Sequence, residues 1–313
     1  MIIKDNETLR KLTTSWYESN DFARIEHLIE LETEALARVI GDDLIEHAEG
    51  IINDTDQSEA DKKLLKKIQL PIALMSVYNY YQLNIVSHDQ STRKIKVDDA
   101  NEKLPWEWML NRDDAAHLSS AQRAIDQLIT YLDKTENTIW KDSPQKKASK
   151  RLFVNNTVVF GNFYPIDNSA RFYYLALPLL QEIQSLELRP ALGEDYRLLL
   201  EAYQINDLSV YQEELLELVQ RAQVYGTIAL ATRRLNTQVL PIGLVKKLES
   251  ESQTLNASRP ATKDEVSYFS KRMEEDAFDF IDKIKRKRFE QTPEYLEYKL
   301  LPNNDPKDKF AST

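Results

Sequence analysis

The chain contains no cysteine, which excludes disulfides, thiolate nucleophiles, zinc ribbons and iron–sulfur ligation together. Glycine is almost as scarce, 6 of 313 residues, against an ordinary usage of about 7%. That scarcity argues against glycine-rich phosphate cradles and against turn-dense all-β folds. The four histidines leave little material for a His-rich metal centre. No G-x-x-x-x-G-K, G-x-G-x-x-G or G-x-S-x-G pattern occurs. No stretch approaches the roughly 18 uncharged apolar residues that a membrane span requires. The longest apolar run with helical character, Ile68 to Ile85, is interrupted by Gln69, Pro71, Asn79 and Gln82. It reads as a buried core helix.

The first sixteen residues, MIIKDNETLRKLTTSW, lack the basic region, apolar run and small-residue cleavage site of a secretory signal. The expected setting is therefore cytoplasmic, or a virion component assembled in the cytoplasm. Asn155-Asn156-Thr157 and Asn256-Ala257-Ser258 match the glycosylation acceptor pattern and carry no meaning without a secretory route.

What is present is ordinary for a globular protein: 42% hydrophobic and 29% charged residues. The 41 Lys and Arg against 51 Asp and Glu give a net charge of −10, which argues against nucleic acid as a general partner. The length of 313 residues suits about two domains of 100–200 residues each.

The chain repeats itself. Val39-Ile40-Gly41-Asp42-Asp43-Leu44 recurs as Ala191-Leu192-Gly193-Glu194-Asp195-Tyr196, 152 residues later. Leu64-Leu65-Lys66-Lys67-Ile68-Gln69 recurs as Leu215-Leu216-Glu217-Leu218-Val219-Gln220, at an offset of 151. Each half closes with a charged amphipathic helix, expected near Ser119–Lys134 and Lys263–Phe289. The fold class is therefore mainly α, two tandem related helical domains with at most a few short β-strands. The expected boundaries are an N-terminal domain over 1–140, a polar, basic linker over 141–150, a C-terminal domain over 151–301 and a flexible tail over 302–313.

Local signals refine this. Apolar residues from Phe22 to Leu36 recur at helical spacing, and Gly41 supplies a stop. Asp42 and Asp43 are read as caps for a helix over 43–53, and Ser58 as the cap of the long helix that follows. Pro71 is expected to kink or divide that helix. Arg151–Val154 and Thr157–Phe160, separated by Asn155-Asn156, read as a hairpin or an extended arm, with Met1-Ile2-Ile3 as its counterpart.

Candidate chemistry is thin. Asp113 and His117, four apart on a helix, offer two ligands and no third. Glu26-His27 and Glu46-His47 have no nucleophile near them. No catalytic residue, cofactor or metal is expected, and the chain is read as not an enzyme. The candidate sites are surfaces. Trp106 and Trp108 suit an interface anchor, or a lid on the first core. Tyr173 and Tyr174 cannot face the same way from one helix, which points one of them toward a contact. Lys283, Lys285, Arg286, Lys287 and Arg288 end a helix that is acidic earlier, an order the helix dipole favours. The same basic end could meet an acidic partner.

The segment Asn162-Phe163-Tyr164-Pro165-Ile166-Asp167-Asn168-Ser169-Ala170-Arg171, leading into Leu175-Ala176-Leu177-Pro178 and the Leu192-Gly193-Glu194-Asp195 step, resembles uncharacterised proteins of Bacteroidetes genomes and prophages. A weaker likeness, over Leu64–Tyr81 and Leu215–Leu235, is to tailed-phage head–tail connector (adaptor) proteins, from which this chain departs in being duplicated and longer. That resemblance implies a non-enzymatic assembly protein with portal or tail proteins, or further copies of itself, as partners. The alternative is a soluble helical interaction module unrelated to virions.

Overall fold

The computed structural model describes residues 1–88, 93–94, 106–235, 237–240, 243–246 and 262–295. The expected tail over 302–313 and the Asn256-Ala257-Ser258 pattern lie outside them. The described residues are mainly helical, with two short antiparallel hairpins. The chain divides into two compact units. The first comprises Met1–Ala148 and Asp167–Leu175; the second comprises Ser149–Ile166 and the described residues from Ala176 onward.

In the first unit, α1 (Asn6–Leu12), α2 (Glu26–Ile40), α3 (Asp42–Asn53), α4 (Glu59–Leu83) and α5 (Glu107–Lys134) gather around one core. Ile29, Ile40, Leu44, Ile68, Leu128 and Trp140 are among its buried residues. Gly41 ends α2 with φ +94°, a backbone region reserved in practice for glycine. Gly41 also precedes α3 as its cap residue, so Asp42 and Asp43 sit in the first turn instead of capping it. There they still complement the helix dipole. Ser58 caps α4, its side chain accepting from Asp61 N. The helix then runs undivided through Pro71.

The stretch 141–150, expected to be a linker, is helical: α6 (Thr138–Asp142) and α7 (Pro144–Lys150) cover almost all of it. Pro144 starts α7, where its missing N–H costs nothing, and Ser143 Oγ accepts from Lys146 N at 3.2 Å. Ser149 is fully buried. The segment 167–175, beyond the expected boundary, belongs to the first unit. It carries α9 (Ala170–Leu175), and Asp126 Oδ1 accepts from Arg171 N at 2.7 Å.

The second unit repeats the plan. Here α8 (Thr157–Gly161) replaces the expected second hairpin strand, with Asn156 as its cap. Asp5 caps α1 in the same way, 151 residues earlier. Next come α10 (Leu177–Ile183), a π turn (Gln184–Leu188), α11 (Arg189–Leu192) and α12 (Asp195–Ile205). Pro190 has no N–H for the carbonyl four residues back, and the helix widens just ahead of it. Gly193, at φ +52°, ends α11 as Gly41 ends α2.

The long helix α13 (Val210–Arg234) has 25 residues, as α4 does, and starts 151 residues after it. Ser209 caps it through a capping box with Gln212. Every buried position of α4 is buried again in α13. The last helix, α14 (Lys263–Phe289), has the expected bounds, whereas α5 starts twelve residues before the expected Ser119. The hairpins, β1–β2 (Ser87–His88 with Arg93–Lys94) and β3–β4 (Thr237–Leu240 with Gly243–Lys246), follow α4 and α13 respectively.

The segment before α8 is a bent stretch that pairs with no strand among the described residues. Leu152, Phe153 and Val154 are buried, so their backbone groups need internal partners. Three glutamines supply them. Gln184 Oε1 accepts from Phe153 N at 3.0 Å, Gln223 Oε1 accepts from Val154 N at 3.0 Å, and Gln220 Nε2 donates to Phe153 O at 2.9 Å. In the first unit Gln69 Nε2 donates to Ile2 O at 2.9 Å, the same bond 151 residues earlier.

Candidate interaction surfaces

The N-terminus of α5 presents four exposed apolar side chains within five residues. Trp106 is 70% and Trp108 55% exposed, and Met109 and Leu110 beside them are exposed as well. Neither indole lies over the core as a lid. Trp106 is the cap residue of α5 and makes no side-chain capping hydrogen bond. The start of this 28-residue helix has no side-chain cap from Trp106, and Glu107 in its first turn stands at the positive end of its dipole.

The tyrosine pair divides. Tyr173 is fully buried, so it offers no surface and is not an interface residue. Tyr174 is half-buried against the first core, its ring edge-on to Trp140 at 5.5 Å and to Tyr173 at 5.1 Å. Both are packing residues of α9.

The basic end of α14 is largely engaged within its own unit. Arg288 Nε donates to Asp195 Oδ2 at 2.7 Å and Nη1 to Ala191 O at 2.8 Å. Lys287 pairs with Glu214, and Lys285 reaches Asp282 at 3.3 Å. Lys283 lies 4.5 Å from the Phe280 ring centre. Arg286 meets Glu290 at 3.5 Å and is mostly exposed. Two of the five, Lys287 and Arg288, thus tie α14 to other elements of its unit, Arg288 anchoring it to the Gly193 turn, while the contacts of Lys283, Lys285 and Arg286 stay on α14 and its C-cap.

His117 and Asp113 are 3.7 Å apart. Among the described residues, no group of three or more His, Asp or Glu is placed to hold a metal ion. No helix among them is long and apolar enough to cross a membrane.

One surface escaped the sequence reading. In the second unit a cleft of about 100 Å³ lies between α10 with its π turn, α13 and α14. Its walls are apolar, including Ile183, Leu186, Ala229, Phe278 and Ile281, and its charged rim is Glu182, Glu187, Arg233 and Glu274. Leu186 is 63% and Phe278 48% exposed. Glu182 pairs with Arg234 at 2.6 Å and Glu274 with Arg233 at 2.8 Å, while Glu187 makes no ion pair among the described residues. The Arg234 guanidinium holds the Glu182 carboxyl below the ordinary carboxylate range.

Gly226 lines the cleft and lets Ile183 pack close, since a β-carbon there would lie 2.9 Å from Ile183 Cδ1. The signal that could have found it is the repeat. Where α13 has Gly226 and Ala229, α4 has Met75 and Tyr78, at the same offset of 151.

These features define a tandem helical protein with one unit used twice. The chain belongs to the family of unknown function DUF6712, which it matches twice, over residues 36–150 and 178–307. No curated protein and no solved structure matches it.

Proposed function

We propose that the chain is a non-enzymatic assembly protein that acts through its surfaces, and within that class a head–tail connector-like component of a phage or prophage particle. The observation that carries the reading is the exposed run Trp106, Trp108, Met109 and Leu110 at the head of α5. Hydrated apolar surface forgoes roughly 25 cal/mol per Å² of burial. Contiguous exposed apolar patches mark contact sites, and Trp is favoured as the buried anchor of an interface.

The duplication is the second support. A chain built from two copies of one unit is suited to assemblies that grow by repetition, where a head-to-tail contact recurs from subunit to subunit. The long helices α4 and α13 carry the likeness to connector proteins. On this reading the partners are further copies of the chain and portal or tail proteins, and no cofactor takes part. Electron microscopy of the purified chain tests it. Rings of uniform diameter are expected; isolated 36.4 kDa particles at every concentration overturn it.

A further inference from the structure

We infer that the cavity beside Gly41 in the first unit is a binding site for a guanidinium group, brought to it as an arginine side chain. The inference stands apart from the assembly reading above.

The second unit shows what this turn does with an arginine. The Arg288 guanidinium lies against Gly193, its Nη2 3.0 Å from where a β-carbon would stand. Its Nε donates to Asp195 Oδ2 at 2.7 Å and its Nη1 to Ala191 O at 2.8 Å. The group is thus held by a carboxylate in the first turn of α12 and by a carbonyl of α11. Two such acceptors suit the planar donor fork of a guanidinium.

The first unit repeats the acceptors. At an offset of 152, Val39 matches Ala191, Gly41 matches Gly193 and Asp43 matches Asp195. Gly41 has a positive φ, as Gly193 does. Its N–H donates to Ala37 O, and that of Gly193 donates to Arg189 O, again 152 residues on. Asp42, where the second unit has Glu194, adds a further carboxylate.

The arginine is what the first unit does not repeat. The nearest side-chain atom to a β-carbon at Gly41 is Ser143 Cβ, 3.7 Å away. Gln145 reaches the last turn of α2 instead, its amide donating to Arg38 O at 2.9 Å. A neutral amide on that carbonyl leaves the carboxylates unanswered. Asp42 and Asp43 make no ion pair and no side-chain hydrogen bond among the described residues.

Space accompanies the missing group. A cavity of about 230 Å³ lies at this turn, with Gly41, Asp42, Asp43, Ser143 and Gln145 on its wall. A cavity of order 150 Å³ accepts benzene, and a guanidinium is the smaller flat group. Gln145 adds a buried acceptor, its Oε1, that has no hydrogen-bond partner. Arg38 also lines the cavity and forms no ion pair with either aspartate. Carboxylate and carbonyl acceptors together favour arginine over lysine, whose ammonium is a point charge without the fork.

The test titrates N-acetyl-arginine amide into the full-length chain, with N-acetyl-lysine amide as the control, and follows backbone amide signals by NMR. Saturable shifts are expected at Gly41, Asp43 and Ser143. Binding is expected to be weaker by roughly tenfold or more for the lysine probe and for Asp43→Asn, the scale of one lost charged hydrogen bond. Asp43 is exposed, and circular dichroism checks that the variant folds. No saturable shift, an equal response to both probes, or undiminished binding by Asp43→Asn overturns the site. Binding that appears only in Arg38→Ala overturns it as well, since Arg38 would then be the group the aspartates hold. Light scattering with and without saturating arginine probe separates the sources. Dissociation of a parent multimer assigns the arginine to another copy of the chain; an unchanged mass assigns it to a ligand from outside the assembly.

Discussion

The side-chain amide of Gln220 donates to the main-chain carbonyl of Phe153 across 2.9 Å, and 151 residues earlier that of Gln69 donates to the carbonyl of Ile2 across 2.9 Å. In both units the long helix thereby holds the segment that precedes the first short helix. The two bonds differ in surroundings. The Gln220 bond is buried and has Gln184 and Gln223 beside it, whereas Gln69 is partly exposed.

The unequal burial predicts unequal costs. Gln220→Ala leaves the Phe153 carbonyl buried and unpaired, a loss of roughly 1–3 kcal/mol. Gln69→Ala lets water reach the Ile2 carbonyl and is expected to cost less. Urea unfolding of the two variants checks the order, and an equal loss would contradict it.

The two turn glycines make a second pair. Gly41 at φ +94° has only Ser143 Cβ within reach of an added methyl, at 3.7 Å, so Gly41→Ala suffers backbone strain alone. Gly193 at φ +52° has Arg288 Nη2 3.0 Å from the same methyl. Gly193→Ala therefore strains the backbone and pushes on the arginine that bonds Asp195 and Ala191. Both are expected to destabilise by roughly 1–3 kcal/mol, Gly193→Ala by the larger amount. Thermal unfolding followed by circular dichroism measures the difference.

Much of this plan was legible because local chemistry wrote it. Gly41 and Ser58 are capping signals that act within one turn, and the repeat places Gly193 and Ser209 at the matching positions of the second half, 152 and 151 residues later. Other features depended on contacts distant in sequence. Tyr173 looks like a surface aromatic until α9 is packed in the first unit. Residues 141–150 look like a linker because their composition is polar, although Ser143-Pro144 is a helix start. The Phe153–Val154 segment has strand propensity, yet buried glutamines take the place of a partner strand. The cleft was the hardest to see, since its walls come from α10, α13 and α14, which lie far apart in sequence.

The basic end of α14 is predicted to split. Arg288→Ala breaks charged hydrogen bonds to Asp195 and to the Ala191 carbonyl, at about 1.5–3 kcal/mol for bonds to a charged group. Arg286→Ala removes an exposed pair with Glu290, a change expected to stay within about 0.5 kcal/mol. Comparing the two by chemical denaturation separates this structural role from that of a uniformly solvated basic patch.

Glu32 supplies a pH dependence. Burial holds its carboxyl above the usual carboxylate range, against the opposing pull of the Asn79 hydrogen bond. A raised folded pKa means that the folded state binds the proton more tightly than the unfolded one. The contribution to stability is present below the unfolded value of about 4.3 and is lost as pH rises through the raised one. Glu32→Gln keeps a neutral side chain at every pH. It is expected to raise the melting temperature at pH 7 and to have a smaller effect at pH 4. A gain of equal size at both would contradict the sign.

The central claim is that the chain assembles through its surfaces, and its mass in solution addresses that most directly. Light scattering coupled to size exclusion, over a concentration series of the full 36.4 kDa chain, is predicted to show one discrete multimer that Trp106→Ala/Trp108→Ala abolishes without loss of helix. A mass equal to one chain at every concentration would contradict the account.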